Sequence, residues 1–374
     1  MPQNRGAVLL AANGDFEIRD WDVPATSGEE VLIEIELCGI CGTDVHVYRG
    51  EVAGVPYPVL LGHENVGRIA EVPTGYRDVF GRELRRGDRV VVAGAYFGEC
   101  GRCLYCDELG APWACAYRVS YPVEIAGELV PTFGGGFARY LRLTPPESRM
   151  LIRIEASAEA AALYEPLSVA TQMLLGGPHI LGTDVAVQGT GAIGLLMVLV
   201  AKAAGASRVI AVGGPSGRLA LAKRLGANVV IDIDEVRDAG ERAGIVRAET
   251  AGGVGVAVGY ECAGVPSAVT EGLSYLRQSG VLMEAGNAAD TGTVALSPYH
   301  DIQRQRRQVI GVRGRTLRDF TAAARFAERH QEEVTTLLTH TVGLDRARDA
   351  VTALTGRYQF DDEDVVKIAV RPQD

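Results

Sequence analysis

The sequence predicts an α/β chain of two domains, a β-rich first part followed by a doubly wound parallel sheet. Three observations carry this. The chain has 374 residues, too many for one ordinary core. Up to about residue 165, short β-type runs alternate with glycine-rich punctuation. From about residue 170 the texture changes, and uninterrupted apolar runs alternate with helix-like segments. Such runs suit a parallel sheet, because helices cover both of its faces.

In the first part, VLIEIELCGI (31–40), VGRIAEV (66–72) and GDRVVVAG (87–94) read as strands on their β-branched content, although alternation in the first is imperfect. In the second, DVAVQG (184–189) precedes a helical stretch at 192–204. RVIAVG (208–213) precedes GRLALAKRLG, with Leu219, Ala222 and Leu225 at helical spacing. NVVID (228–232), VAVGYEC (256–262) and GVLMEAG (280–286) continue the series to about residue 314. The tail opens with a helical stretch, DFTAAARFAERH, and closes on a strand, DVVKIAV (364–370), that is expected to return to the first domain. The expected domains are therefore 1–169, 170–314 and a returning 315–374.

Four cysteines, Cys100, Cys103, Cys106 and Cys115, follow the spacing C-x2-C-x2-C-x8-C. Neighbouring thiolates at such steps converge on one ion, and four sulfurs close a tetrahedral zinc shell. A closed shell leaves no position for substrate, so this ion would hold a lobe (about 95–120) in shape. Three further stretches offer ligands for an open site: Cys41 to His46, Gly62-His63-Glu64, and Glu165 in YEPLS. Thiolate, imidazole and carboxylate all bind zinc, and three of them plus a water make an open shell.

Gly189-Thr190-Gly191-Ala192-Ile193-Gly194 is a G-x-G-x-x-G that follows a strand and opens a helix. Gly189 permits the tight turn, Gly191 the approach of a pyrophosphate, and Gly194 close helix packing, while the helix N-terminus attracts the anion. Ala192 and Ile193 belong to the same cradle. The acid expected about 20 residues on to grip the ribose is replaced by Gly213. Ser216 or Arg218 would then meet a 2′-phosphate, which leans the reading to NADP(H). Alternatively Arg218 faces solvent and NAD(H) binds.

Net charge is −10, which argues against nucleic acid as a main partner. The longest apolar run, 193–204, is broken by Lys202 and is too short to span a bilayer. The first residues lack the apolar run of a signal peptide, so a cytoplasmic location is expected. There, seven cysteines read as metal ligands sooner than as disulfides.

CGICGTDVH (38–46), GHE (62–64), GDRVVV (87–92), the four-cysteine lobe, GGFARY (135–140), EPLSVA (165–170) and GTGAIG occur in this order along nearly the whole chain. In them the chain resembles the zinc-dependent medium-chain dehydrogenases and reductases, which include alcohol and polyol dehydrogenases. The resemblance implies a GroES-like catalytic domain built from both chain ends, an inserted Rossmann domain, and a homodimer or homotetramer. It matches Cys41, His63 and Glu165 to zinc ligands. Glu64 matches a carboxylate that takes the third place in polyol and threonine dehydrogenases, and the choice between Glu64 and Glu165 stays open. Asp44 matches the partner that orients the ligand histidine. Thr43 and His46 match a proton relay, and the four lobe cysteines match a structural zinc. The implied chemistry is hydride transfer between an alcohol, secondary or polyol-like, and NAD(P), or the reverse on a carbonyl, with two zinc ions per chain. An enoyl or quinone reductase of the same fold, and a non-catalytic nucleotide-binding protein, are the alternatives. Tyr48, Tyr117 and Phe137 are expected near the substrate.

Overall fold

The computed structural model describes residues 3–374 except 24, 94–99, 101, 116, 118–122, 126, 146, 288 and 357. Position 94 of the third expected strand and residues 95–99, 101, 116 and 118–120 of the expected lobe therefore lie outside the described residues. The chain divides into two compact units. One joins Met1–Glu165 to Gly314–Asp374, and the other is Pro166–Arg313.

The first unit is built on a seven-stranded sheet. Its order is Leu151–Arg153, Arg89–Val92, Glu64–Glu71, Val31–Gly39, Lys367–Val370 and Leu338–Val342, with Tyr140–Leu143 also pairing with Val31–Gly39. The imperfect alternation of Val31–Gly39 has a physical cause. Its register against Glu64–Glu71 shifts twice, and each irregularity resets which side chains face the core. The returning tail strand Lys367–Val370 pairs antiparallel with Val31–Gly39. It enters a core that includes Ile33, Ile35, Val45, Leu61, Phe137 and Ile368.

Tyr48 and Phe137 belong to that core. Both are buried, and Phe16 packs on each ring at 6.3 and 6.5 Å between centroids. Both rings pack in the core of the first unit, where burial of a large ring contributes most. Tyr117 is 67% exposed.

The second unit carries a six-stranded sheet in the order Val229–Asp232, Arg208–Gly213, Asp184–Gln188, Val256–Glu261, Leu276–Glu284, Gln308–Gly311. Every pairing is parallel. Chain order across it is third, second, first, fourth, fifth, sixth, the doubly wound arrangement that binds dinucleotides at its carboxyl edge. The helix Ala192–Ala203 buries Leu195 to Ala201 without interruption, which explains why its sequence shows little amphipathic contrast.

Candidate metal centres and coenzyme turn

In the four-cysteine lobe, Cys103 caps the short helix Leu104–Asp107, and Cys106 lies on it. Cys115 follows the turn Pro112–Ala114. The Sγ atoms of Cys100, Cys103, Cys106 and Cys115 all lie within 4.8 Å of one another. Cys103 and Cys106 are 3.5 Å apart, and Cys103 and Cys115 3.9 Å. Tetrahedral zinc with bonds near 2.3 Å requires sulfurs about 3.8 Å apart, so the set fits such an ion. Backbone N–H groups also favour thiolate here. The N–H of Cys106 leads in pulling the Cys103 thiol down to about 7. At Cys115 burial pushes up, but the N–H groups of Cys100 and Tyr117, donating to its sulfur at 3.5 and 3.4 Å, outweigh it.

The second group assembles from separate stretches of the first unit. Cys41 stands just before the helix Gly42–Tyr48, and its N–H donates to Asp44 Oδ2 at 2.8 Å. The same buried Asp44 turns its other oxygen, Oδ1, to His63 Nδ1 at 3.4 Å. His63 and Glu64 lie where a turn enters the strand Glu64–Glu71. Cys41, His63 and Glu64 present ligand atoms within 4.8 Å of one another. One ion reaching about 2.0–2.3 Å to each can join atoms this close, and the thiolate–imidazole–carboxylate set suits zinc.

Glu165 is not in that group of three. Its carboxylate pairs with Arg315, whose guanidinium also lies 5.5 Å from the centre of the Phe320 ring. Glu64 meets Lys367 Nζ at 2.6 and 2.5 Å. Burial pushes the Lys367 ammonium down, yet Glu64 outweighs this and holds it charged. Gly39 makes room for the pair, because a Cβ there would sit 2.0 Å from Glu64 Oε2. Thr43 Oγ1 lies 3.6 Å from Cys41 Sγ, and His46 Nδ1 lies 2.5 Å from Glu51 Oε2.

In the second unit the fingerprint glycines answer to contacts. Gly189 has φ of +92°, and a Cβ on it would strike Ala263 N at 2.7 Å. A Cβ on Gly194 would lie 1.9 Å from Gly189 O, so helix and turn touch backbone to backbone. Gly191 faces open space. Gly213 ends its strand beside Thr190, whose hydroxyl accepts from Gly214 N–H and donates to Gly214 O. Ser216 opens the next helix and is exposed. Arg218 is buried, not turned to solvent.

Residues 27–156 match the alcohol dehydrogenase GroES-like domain, and residues 192–329 the zinc-binding dehydrogenase family. Sorbitol dehydrogenase of Bacillus subtilis is 33% identical over 289 residues, which is 76% of each chain. The chain belongs to the zinc-dependent medium-chain dehydrogenase and reductase family. An alcohol dehydrogenase from Thermotoga maritima superposes with a TM-score of 0.89 at 25% identity, covering 99% of this chain and all of that one. A zinc-binding dehydrogenase structure from Sinorhizobium meliloti, solved with NADP bound, gives 0.81 at 27% identity over the full length of both chains. The protein is thus a zinc-dependent alcohol or polyol oxidoreductase that works with a nicotinamide dinucleotide. Nothing favours the enoyl or quinone reductase, or the non-catalytic alternative. Among the described residues no helix is long and apolar enough to cross a membrane.

Two cations that pair with the candidate carboxylates, Lys367 and Arg315, escaped sequence reasoning. Lys367 left one signal, a lysine inside the otherwise apolar run VVKIAV. Arg315 left none, because nothing about an arginine after a strand marks its partner.

Proposed function

We propose that the chain oxidises a secondary or polyol-like alcohol at a zinc held by Cys41, His63 and Glu64. The observation carrying this is the approach of those three ligand atoms to within 4.8 Å from separate stretches of chain. Met1–Glu165 with Gly314–Asp374 is the catalytic domain, and Pro166–Arg313 the coenzyme domain. When bound, the metal supplies Lewis acidity toward the substrate oxygen, and the nicotinamide accepts or gives the hydride.

The chain's own residues do the rest. Asp44 fixes the His63 ring and leaves Nε2 for the ion. Burial raises the Glu64 carboxyl above its ordinary range, and Lys367 opposes that shift and holds the group in place. Glu165 is held by Arg315 outside the ligand set. Thr43, beside the Cys41 sulfur, is both donor and acceptor and takes the substrate hydroxyl's proton. His46, backed by Glu51, hands it to solvent. Gly189, Gly191, Ala192, Ile193 and Gly194 seat the pyrophosphate. Cys100, Cys103, Cys106 and Cys115 hold a second, structural zinc.

Of the two coenzymes, the surroundings of Gly214 favour NAD(H) over the NADP(H) that Gly213 alone points to. A Cβ on Gly214 would lie 3.7 Å from both Asp232 Oδ1 and Asp234 Oδ2. These carboxylates come from the neighbouring strand end, where Asp232 is level with Gly213. They would repel a 2′-phosphate. A homodimer or homotetramer in the cytoplasm completes the reading, supported by the family resemblance and by seven free cysteines.

Cys41→Ser tests the central part. Turnover is expected to fall at least about 1,000-fold, while NADH, titrated in parallel with NADPH, still binds and binds the tighter. A variant that keeps near-native turnover overturns the assignment.

A further inference from the structure

Two carboxyl groups lie side by side in the coenzyme unit, and the chemistry proposed above uses neither. Glu261 and Glu284 are register partners near the carboxyl ends of the parallel strands Val256–Glu261 and Leu276–Glu284, so their side chains share a face. Glu261 is fully buried. Its Oε1 accepts the N–H of Ala263 at 2.6 Å and of Gly264 at 3.0 Å. Its Oε2 has no such donor and lies where a Cβ on Gly286 would meet it at 2.3 Å. Glu284 Oε1 accepts from Asn287 N and Nδ2 at 3.0 and 2.9 Å, which leaves its other oxygen for Glu261.

The loop these bonds shape is the one that touches the fingerprint. Cys262 N–H donates to Gln188 O at 2.8 Å, and Gly189 is hemmed in by Cys262 and Ala263. Two ionised carboxylates side by side repel, whereas one proton between them makes a hydrogen bond, and Glu284 accordingly raises Glu261. We propose that Glu261 is a positioning residue for coenzyme binding. Protonated, it donates Oε2–H to Glu284 and holds residues 262–264 against Gly189; ionised, it loosens that loop and adds negative charge beside the pyrophosphate seat.

Burial, more than the neighbouring carboxylate, pushes Glu261 up to about 7. The other groups facing it are Glu284, the Cys262 thiol and the neutral amide of Gln188 in the adjoining strand. A carboxyl raised from 4.5 to about 7 stabilises the fold fully below pH 4.5, and that contribution is lost as pH rises through about 7. Coenzyme affinity follows the same sign, tightest when the proton is present.

The inference rests on the coenzyme reading above. The test is NADH affinity of the zinc-loaded protein from pH 6 to 9, by fluorescence titration, for wild type and Glu261→Gln. Glutamine keeps the acceptor oxygen and replaces the shared proton by a fixed N–H. Wild-type affinity is expected to weaken roughly 5- to 10-fold over this range, and that of the variant less than about twofold. Glu284→Gln, should the first variant fold poorly, is expected to flatten the profile equally. A glutamine variant that keeps the wild-type slope, or a wild-type profile that is flat, overturns the inference alone. No NADH binding at any pH overturns the coenzyme reading and the inference together.

Discussion

Lys367 and Glu64 are charges that the first core can hold only as a pair. Both are buried, and Gly39 leaves the space they fill. Removing one partner strands the other, which typically costs ~3–5 kcal/mol. Lys367→Met should therefore lower stability by about 3 kcal/mol in urea unfolding, and Lys367→Met with Glu64→Gln should recover most of it. An unchanged midpoint for the single variant would mean that the pair is not buried as described. At this scale the sequence disclosed side chains whose chemistry is distinctive. Cys41, His63 and the two glutamates Glu64 and Glu165 stood out because thiolate, imidazole and carboxylate in such short glycine-flanked stretches all suit zinc. Tyr48 and Phe137 prove to be core rings, which sequence alone does not reveal, because an aromatic ring looks the same in a core as in a pocket. Glu261 and Glu284 gave no sign, since only strand register brings residues 23 positions apart onto one face.

The proposed structural zinc would hold an element that has little support of its own, the four-cysteine lobe. Its helix Leu104–Asp107 is four residues long and buries none of them, while Leu104, Tyr105 and Leu109 are exposed. So short a helix does not persist on propensity, and little apolar burial supports it. Cys103→Ser should lower the thermal midpoint and remove about one zinc per chain, with NADH binding retained in the coenzyme unit. A metal count equal to wild type would contradict the closed site. Cysteine spacing made this element legible. Strands were legible where β-branched residues ran together, as in Arg208–Gly213, and their limits were less so. The strand Leu276–Glu284 begins four residues before the run read at 280–286, because LRQS carries no β signature and follows directly on a helix. Gln308–Gly311 went unread as an edge strand with only two apolar side chains.

Over the whole molecule the order of motifs carried the most information. A β-rich segment, a dinucleotide-binding sheet and a returning strand imply one domain inserted into another. The pairing of Lys367–Val370 with Val31–Gly39 closes the first unit across more than three hundred residues of chain. That strand also brings Lys367 to Glu64, so both chain ends contribute to the proposed site. Sequence alone left the third ligand open because Glu64 and Glu165 are chemically alike. The proposed choice of Glu64 rests on its place beside Cys41 and His63, which exists only once the chain is folded. The most direct measurement is a crystal structure of the zinc-loaded protein with anomalous data at the zinc edge. A zinc peak is expected, bonded to Cys41 Sγ, His63 Nε2 and a Glu64 oxygen, with Glu165 still on Arg315. A zinc-loaded crystal with no anomalous peak among those three side chains would contradict the assignment.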